Sequence, residues 1–158
     1  MKLVKCIVVF GLCLLVGSCP EPGITINIGD YEYHLEMWNN QNILDYQLSV
    51  TFRFSNEREQ AVVFVKNGIP ESSDPPTWLA NGKKSTVSDF FSFIKEEERR
   101  LMGNGRGIWD QAGFFIVNYD IKYHYPIIIK FASRTTGSDQ SADWHWTITL
   151  TPIEETEQ

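Results

Sequence analysis

The histidines, cysteines and clustered acids are the residues of this 158-residue chain that could do chemistry, and their placement excludes more than it offers. The three cysteines, Cys6, Cys13 and Cys19, all fall within the first nineteen positions. A disulfide framework, a thiolate zinc site, an iron–sulfur cluster and a cysteine nucleophile are therefore excluded from everything that follows. His34, His124 and His145 stand far apart, with no pair at the three- or four-residue spacing that puts two imidazoles on one helix face. No metal cluster is visible, and all three read as ordinary surface histidines. A nucleophile elbow of the Gly-x-Ser-x-Gly type is missing, and no Ser-x-x-Lys pair opens a helix. Asp139 and Asp143, beside Gly137 and Ser138, supply oxygen donors without the spacing of a calcium loop. Gly103-Asn-Gly-Arg-Gly107 follows a helix, whereas phosphate loops follow a strand and open a helix, so its glycines read as helix termination. Glu96, Glu97 and Glu98 with Arg99 and Arg100 read as an exposed helix face that lacks the burial acid–base catalysis needs. No catalytic residue, cofactor or metal is expected.

The cysteine that does carry a signal is Cys19. Lys2 and Lys5 precede an apolar run of 11 residues from Cys6 to Val16, followed by Gly17 and Ser18. That is the three-part pattern of an export signal, and the run is too short for the roughly 20 residues of a membrane span. Val16-Gly17-Ser18-Cys19 resembles the lipobox of bacterial lipoproteins at all four positions. The resemblance implies cleavage before Cys19 and a diacylglycerol thioether on its sulfur, usually with a further acyl chain on the freed amine. Two or three chains on one residue hold a protein to a membrane firmly, where one chain does not. The expected division is a signal peptide over 1–18, a lipidated cysteine and spacer over 19–29, a folded domain over 30–153 and a disordered acidic tail over 154–158. Ordinary cleavage after Ser18 is the alternative.

Loss of residues 1–18 removes two of the 14 basic residues and none of the 20 acids, leaving 12 against 20, a net charge of −8. Nucleic acid as a partner is excluded on this balance, because binding it needs a basic face that displaces counterions. The partners expected are membrane lipid through Cys19, and an envelope protein or small ligand met by the folded domain. Two tryptophans fall among turn formers: Trp78 after Pro75-Pro76, and Trp109 between Gly107 and Asp110. With Arg106 they are the candidate binding residues, an aromatic and cationic rim. The competing reading is that both tryptophans cover the ends of the core.

The elements that must position these residues follow from periodicity. Tyr31, Leu35 and Trp38 recur at helical spacing over 30–42, with Asp30 placed to cap and Asn39 to Asn42 ending the helix. Tyr46, Leu48, Val50, Phe52 and Phe54 alternate with polar residues, so 46–54 is a strand with one buried face. A polar turn over 55–59, a strand over 61–65 and the Asn67-Gly68 turn follow. Pro70, Pro75, Pro76 and Asn81-Gly82 make 70–84 an irregular loop or short edge hairpin. Thr86 and Asp89 open a second helix whose apolar stripe is Val87, Phe90, Phe91, Ile94 and Leu101, ending at Gly103. Strands over 114–119, 125–131 and 144–151 complete the chain. This order predicts an α+β single domain: an antiparallel sheet of about five to six strands with two helices packed on one face.

Several spaced features together resemble an uncharacterised family of small bacterial lipoproteins carrying a domain of unknown function. They are Trp38 with Tyr46, Val65-Lys-Asn67-Gly68, Thr86-Val87 leading to Phe91, Tyr119-Asp120 with Tyr125-Pro126, and Asp143-Trp144. Where that family carries glycine before Tyr-Pro, this chain has His124. The resemblance implies a location in the bacterial cell envelope, lipid-anchored and facing periplasm or exterior, and no activity. The functional expectation is a non-enzymatic binding or interaction module. Two alternatives stay open. One is a small-ligand carrier or hydrolase with a site assembled from Arg106, Trp109, Asp120 and His124; the other is an inhibitor that inserts an edge strand into an enzyme cleft.

Overall fold

The computed structural model describes residues 24–103, 113–133 and 143–153. In chain order its elements are β1 (Ile24–Asn27), α1 (Tyr31–Gln41), β2 (Tyr46–Phe54), β3 (Glu57–Lys66), β4 (Ile69–Asp74), α2 (Thr77–Ala80), α3 (Val87–Gly103), β5 (Gly113–Tyr119), β6 (Pro126–Ser133) and β7 (Trp144–Pro152). The strands form one sheet in the order β1-β5-β6-β7-β2-β3-β4.

The architecture is α+β as expected, but among the described residues the sheet has seven strands and is mixed. β1 pairs parallel with β5, Ile24 opposite Gly113 and Asn27 opposite Ile116, while every other neighbouring pair is antiparallel. The reading of residues 24–27 as part of the spacer is thereby corrected. Four residues after a Pro/Gly stretch are too few to show alternation, and a parallel partner 89 positions away leaves no local trace. The second extra strand, β4, sits at the opposite edge, where Pro70 can lack a ladder donor without cost. A single helical turn, α2, makes three helices among the described residues instead of two. β3 also begins earlier than expected, at Glu57, because Ser55 takes a positive φ of 53° and closes the β2–β3 connection in two residues.

β2 and β7 lie side by side at the centre, paired residue for residue from Tyr46 opposite Pro152 to Phe54 opposite Trp144. Their inward residues Leu48, Val50, Trp146, Ile148 and Leu150 form one apolar surface with Val63, Val65, Phe115, Val117, Ile129 and Phe131. α3 covers it with Val87, Phe90, Phe91 and Ile94, all buried, as its sequence stripe predicts. Trp146 is the centre of the contact: its ring lies 4.4 Å from Phe52 and 5.4 Å from Phe90, centroid to centroid. Thr86 and Asp89 cap α3 reciprocally. The Asp89 N–H donates to the Thr86 hydroxyl at 3.1 Å, and the Asp89 carboxylate accepts the N–H groups of Ser85 and Thr86 at 2.9 Å each. α1 docks beside α3 through Tyr31, whose hydroxyl donates to the Phe91 carbonyl at 3.0 Å. Asp30 holds the N-cap position of α1 but makes no side-chain capping bond there. Burial pushes the phenols of Tyr31, Tyr46, Tyr119 and Tyr125 above their ordinary range.

The opposite face of the sheet carries the polar residues of the alternation. The register lines up Lys130, His145, Arg53 and Arg58 directly across β6, β7, β2 and β3. Like charges placed opposite one another repel. No ion pair within the described residues relieves Lys130, Arg53 or Arg58. Burial, then Arg53 and Lys130, hold the His145 imidazolium down, below the usual histidine range. Beside this row lies a shallow depression of about 420 Å³ lined by Ser49, Thr51, Gln60, Asp74, Thr147 and Thr149.

Two outcomes follow from this packing. A Cβ added at Gly113 would lie 2.6 Å from the Phe131 ring and 2.8 Å from the Ala132 carbonyl oxygen. Gly113→Ala should therefore lose about 1–3 kcal/mol of stability in a urea melt, as overpacked sites do. Because the folded pKa of His145 lies below its unfolded value near 6.5, the unfolded chain binds the proton first. This contribution is harmless above that value and costs stability progressively as pH falls from it toward the lowered folded pKa. Melting temperatures measured between pH 7.5 and 5 should decline less steeply in His145→Gln than in the parent; parallel curves would refute the assignment.

Candidate functional site

The parallel pairing of β1 with β5 gives the sheet two distinguishable ends. Ile24, Gly113, Ser133, Trp144 and Phe54 mark the end where the described chain enters. The other end, called distal below, gathers the β5–β6 turn over 120–125, the segment leading into β2, the Asn67-Gly68 turn and the close of β7.

Two carboxylates build the distal end. The Asp45 side chain accepts the Asn67 N–H at 2.7 Å, and its carbonyl accepts the Ile153 N–H at 3.0 Å. The Leu44 carbonyl accepts the Gly68 N–H at 2.9 Å. Three separate connections are thus tied through residues 44 and 45. Asp120 does the same within its own turn, accepting the N–H groups of Lys122 and Tyr123 at 2.8 and 2.6 Å through one oxygen. Charge-assisted bonds of this kind are short and strong. Asn67 and Gly68 take positive φ angles of 51° and 74°, as a tight hairpin requires.

On this rigid frame stand side chains that burial should have claimed. Among the described residues, Tyr33, Leu44, Ile69, Ile121 and Ile153 are exposed at the distal end, Ile121 to 92% and Ile69 to 66%. Single exposed apolar residues are ordinary, and five large ones at one end make it the candidate contact surface.

The same end brings together His34 of α1 and His124 of the β5–β6 turn, 90 positions apart in sequence. Their Nδ1 atoms are 3.1 Å apart. The His34 ring stacks on Tyr119 with centroids 4.1 Å apart, and Tyr33 stands edge-on to both imidazoles at 5.3 and 5.5 Å. Tyr119 is itself anchored, donating its hydroxyl to the Ile28 carbonyl at 3.1 Å. Burial, followed by His124, lowers the affinity of His34 for a proton, and Asp30 offsets this in part. His124 adopts φ 61°, with its N–H donating to the Asp120 carbonyl at 3.1 Å. That left-handed conformation is where glycine is the ordinary choice, so a side chain is placed here against the backbone preference. The expectation of three independent surface histidines is corrected for this pair: both are half-buried and in contact. Nothing local in the sequence could have paired them.

The sequence candidates fare differently. Trp78 lies inside the core, 2% exposed, with its indole N–H donating to the Lys84 carbonyl at 3.0 Å. It offers no contact surface, and the reading that it covers the core holds. Arg106, Trp109, Cys19, Asp139 and the tail 154–158 lie outside the described residues. Of the site assembled from Arg106, Trp109, Asp120 and His124, the last two share one turn, where one Asp120 carboxylate oxygen accepts two backbone donors. Asp143 is likewise structural, accepting the Ser133 N–H at 2.7 Å. Among the described residues no three of His, Cys, Asp and Glu gather to hold a metal, and no helix is long and apolar enough to cross a membrane. Comparison of the chain with protein-family models, curated proteins and solved structures produced no match in any of the three.

The frame and the side chains it displays separate by mutation. Asp120→Ala should cost about 1–3 kcal/mol and raise amide exchange at 121–124, because two backbone donors lose their acceptor. Ile121→Ser should stay within about 0.5 kcal/mol of the parent, being almost wholly solvated already. Equal losses in the two variants would mean that Ile121 is covered in solution.

Proposed function

We propose that this chain is a lipid-anchored protein of the bacterial cell envelope, held by Cys19, and that its domain is a non-enzymatic binding module meeting a partner with its distal end. The observation that carries the reading is the direction of β1. Its parallel pairing with β5 places residue 24 at the end of the sheet opposite Tyr33, Leu44, Ile69, Ile121 and Ile153. Four residues lie between Cys19 and Ile24, and the five chain steps reach at most about 17 Å when extended. A lipid on Cys19 would therefore hold the entry end near the bilayer and leave the distal end facing away from it. Apolar side chains on a rigid frame suit a protein surface, since little ordering entropy is lost when they are covered. The basic row of Lys130, His145, Arg53 and Arg58 lies toward the entry end, where anionic headgroups would offset its repulsion.

A small-ligand carrier is the second reading, favoured by the hydroxyl-lined depression beside that row. The first reading uses the distal end of the sheet and the second its open face.

Intact mass of the protein from a bacterial envelope should show loss of residues 1–18 and a diacyl or triacyl addition that Cys19→Ala abolishes. An unmodified chain would remove the anchor from the proposal. A photo-crosslinking residue placed at Ile121 or Ile69 should then capture one envelope component that the same residue at Thr147 does not. Capture at Thr147 alone would move the site to the open face.

A further inference from the structure

We infer that His34 and His124 form a two-imidazole site for a divalent transition metal, Cu(II) or Zn(II), with Cu(II) held more tightly. The inference stands on the geometry of the pair and is independent of the lipid anchor. Two nitrogens bound to one ion at about 2.0–2.1 Å lie roughly 2.9–3.4 Å from each other in octahedral or tetrahedral geometry. The two Nδ1 atoms are 3.1 Å apart, within that range. Chelation keeps this separation and asks each ring to turn, so that the lone pairs of the two Nδ1 atoms, which face each other in the hydrogen bond, converge on the ion.

Both rings are already held. Tyr119 stacks on His34 and is tied to Ile28, and the turn that carries His124 is braced by Asp120. The stack and the braced turn keep the two imidazoles at the same place between α1 and the β5–β6 turn. In the ion-free pair one imidazole carries its proton on Nδ1 and donates it to the other. On binding, that proton passes through water to Nε2 of the same ring, so that both Nδ1 lone pairs face the ion and no net proton is released. Asp30, the carboxylate that acts on His34, adds favourable negative charge. Among the described residues no third His, Cys, Asp or Glu joins the pair. The remaining coordination positions are left to water or to a ligand from outside the chain. Imidazole donors without thiolate, together with the rise in affinity from the earlier divalent ions to copper, give the order Cu(II) above Zn(II).

The ion would bridge α1 to the β5–β6 turn, two segments meeting at the distal end. It would place an exchangeable coordination site beside Tyr33.

The test uses the full chain in detergent, with its cysteine thiols alkylated so that sulfur contributes nothing. Titration with CuCl2 should show one ion per chain, an electron paramagnetic resonance spectrum with hyperfine coupling to two nitrogens, and a higher melting temperature with either Cu(II) or Zn(II). His34→Gln and His124→Asn should each weaken binding at least tenfold, while His145→Gln should leave it unchanged. Asparagine is chosen at 124 because it tolerates the left-handed backbone. Unchanged far-ultraviolet circular dichroism in both variants would show that folding is intact. Equal affinity in the parent and both variants, or absence of binding at millimolar metal, would overturn the site and leave the pair as a shared-proton contact. A failure here leaves the lipid mass and the crosslinks untouched.

Discussion

The nine-residue pairing of β2 with β7 is the constraint on which the rest of the molecule depends. Because side chains alternate along a strand, one register puts Leu48, Val50, Trp146, Ile148 and Leu150 on the helix side and Ser49, Thr51, Thr147 and Thr149 on the other. A slip by one residue would exchange those sets and expose the core. Once that register is held, Trp146 lies beneath Phe90 and Phe93, α3 has one direction to lie in, and Tyr31 can reach the Phe91 carbonyl to set α1. The placement of His34 is a remote result of the same choice.

Much of this was legible because it is written in local periodicity. β2 and β7 alternate strictly, α3 carries a stripe and a reciprocal cap, and Asn67-Gly68 announces its turn. The sequence hid what depends on distant partners. Ile24 to Asn27 is a strand only because β5 offers it an edge, and β4 tolerates Pro70 only because it is itself an edge. The same logic hid α2: a tryptophan between Pro76 and Asn81 reads as a loop residue that covers the core, and one turn of helix is what sets its ring against Trp146.

The candidate site was less legible than the fold for a related reason. Asp45, Asp120, His34 and His124 each look unremarkable in their own segments. Their meaning comes from what the topology sets beside them: Asp45 beside Asn67, and His34 beside His124. One mark was present. The histidine before Tyr125-Pro126 occupies a backbone conformation that glycine would adopt more readily, and a side chain kept there at conformational cost points to something it does.

The parallel edge strand also has a mechanical consequence. A pull on the chain ahead of Ile24, directed along β1, loads its four register pairs with β5 in shear, so that they share the force, whereas a pull across the edge would open them one after another. Gly29, with its positive φ against the Tyr119 ring, and the Tyr119 hydroxyl on the Ile28 carbonyl form a catch just behind that strand. A pull would thus pass into β5 through these pairs, and α1 would take it up only after this short clasp had yielded. Residues 24–29 are in that sense a strain relief between the leading segment and α1.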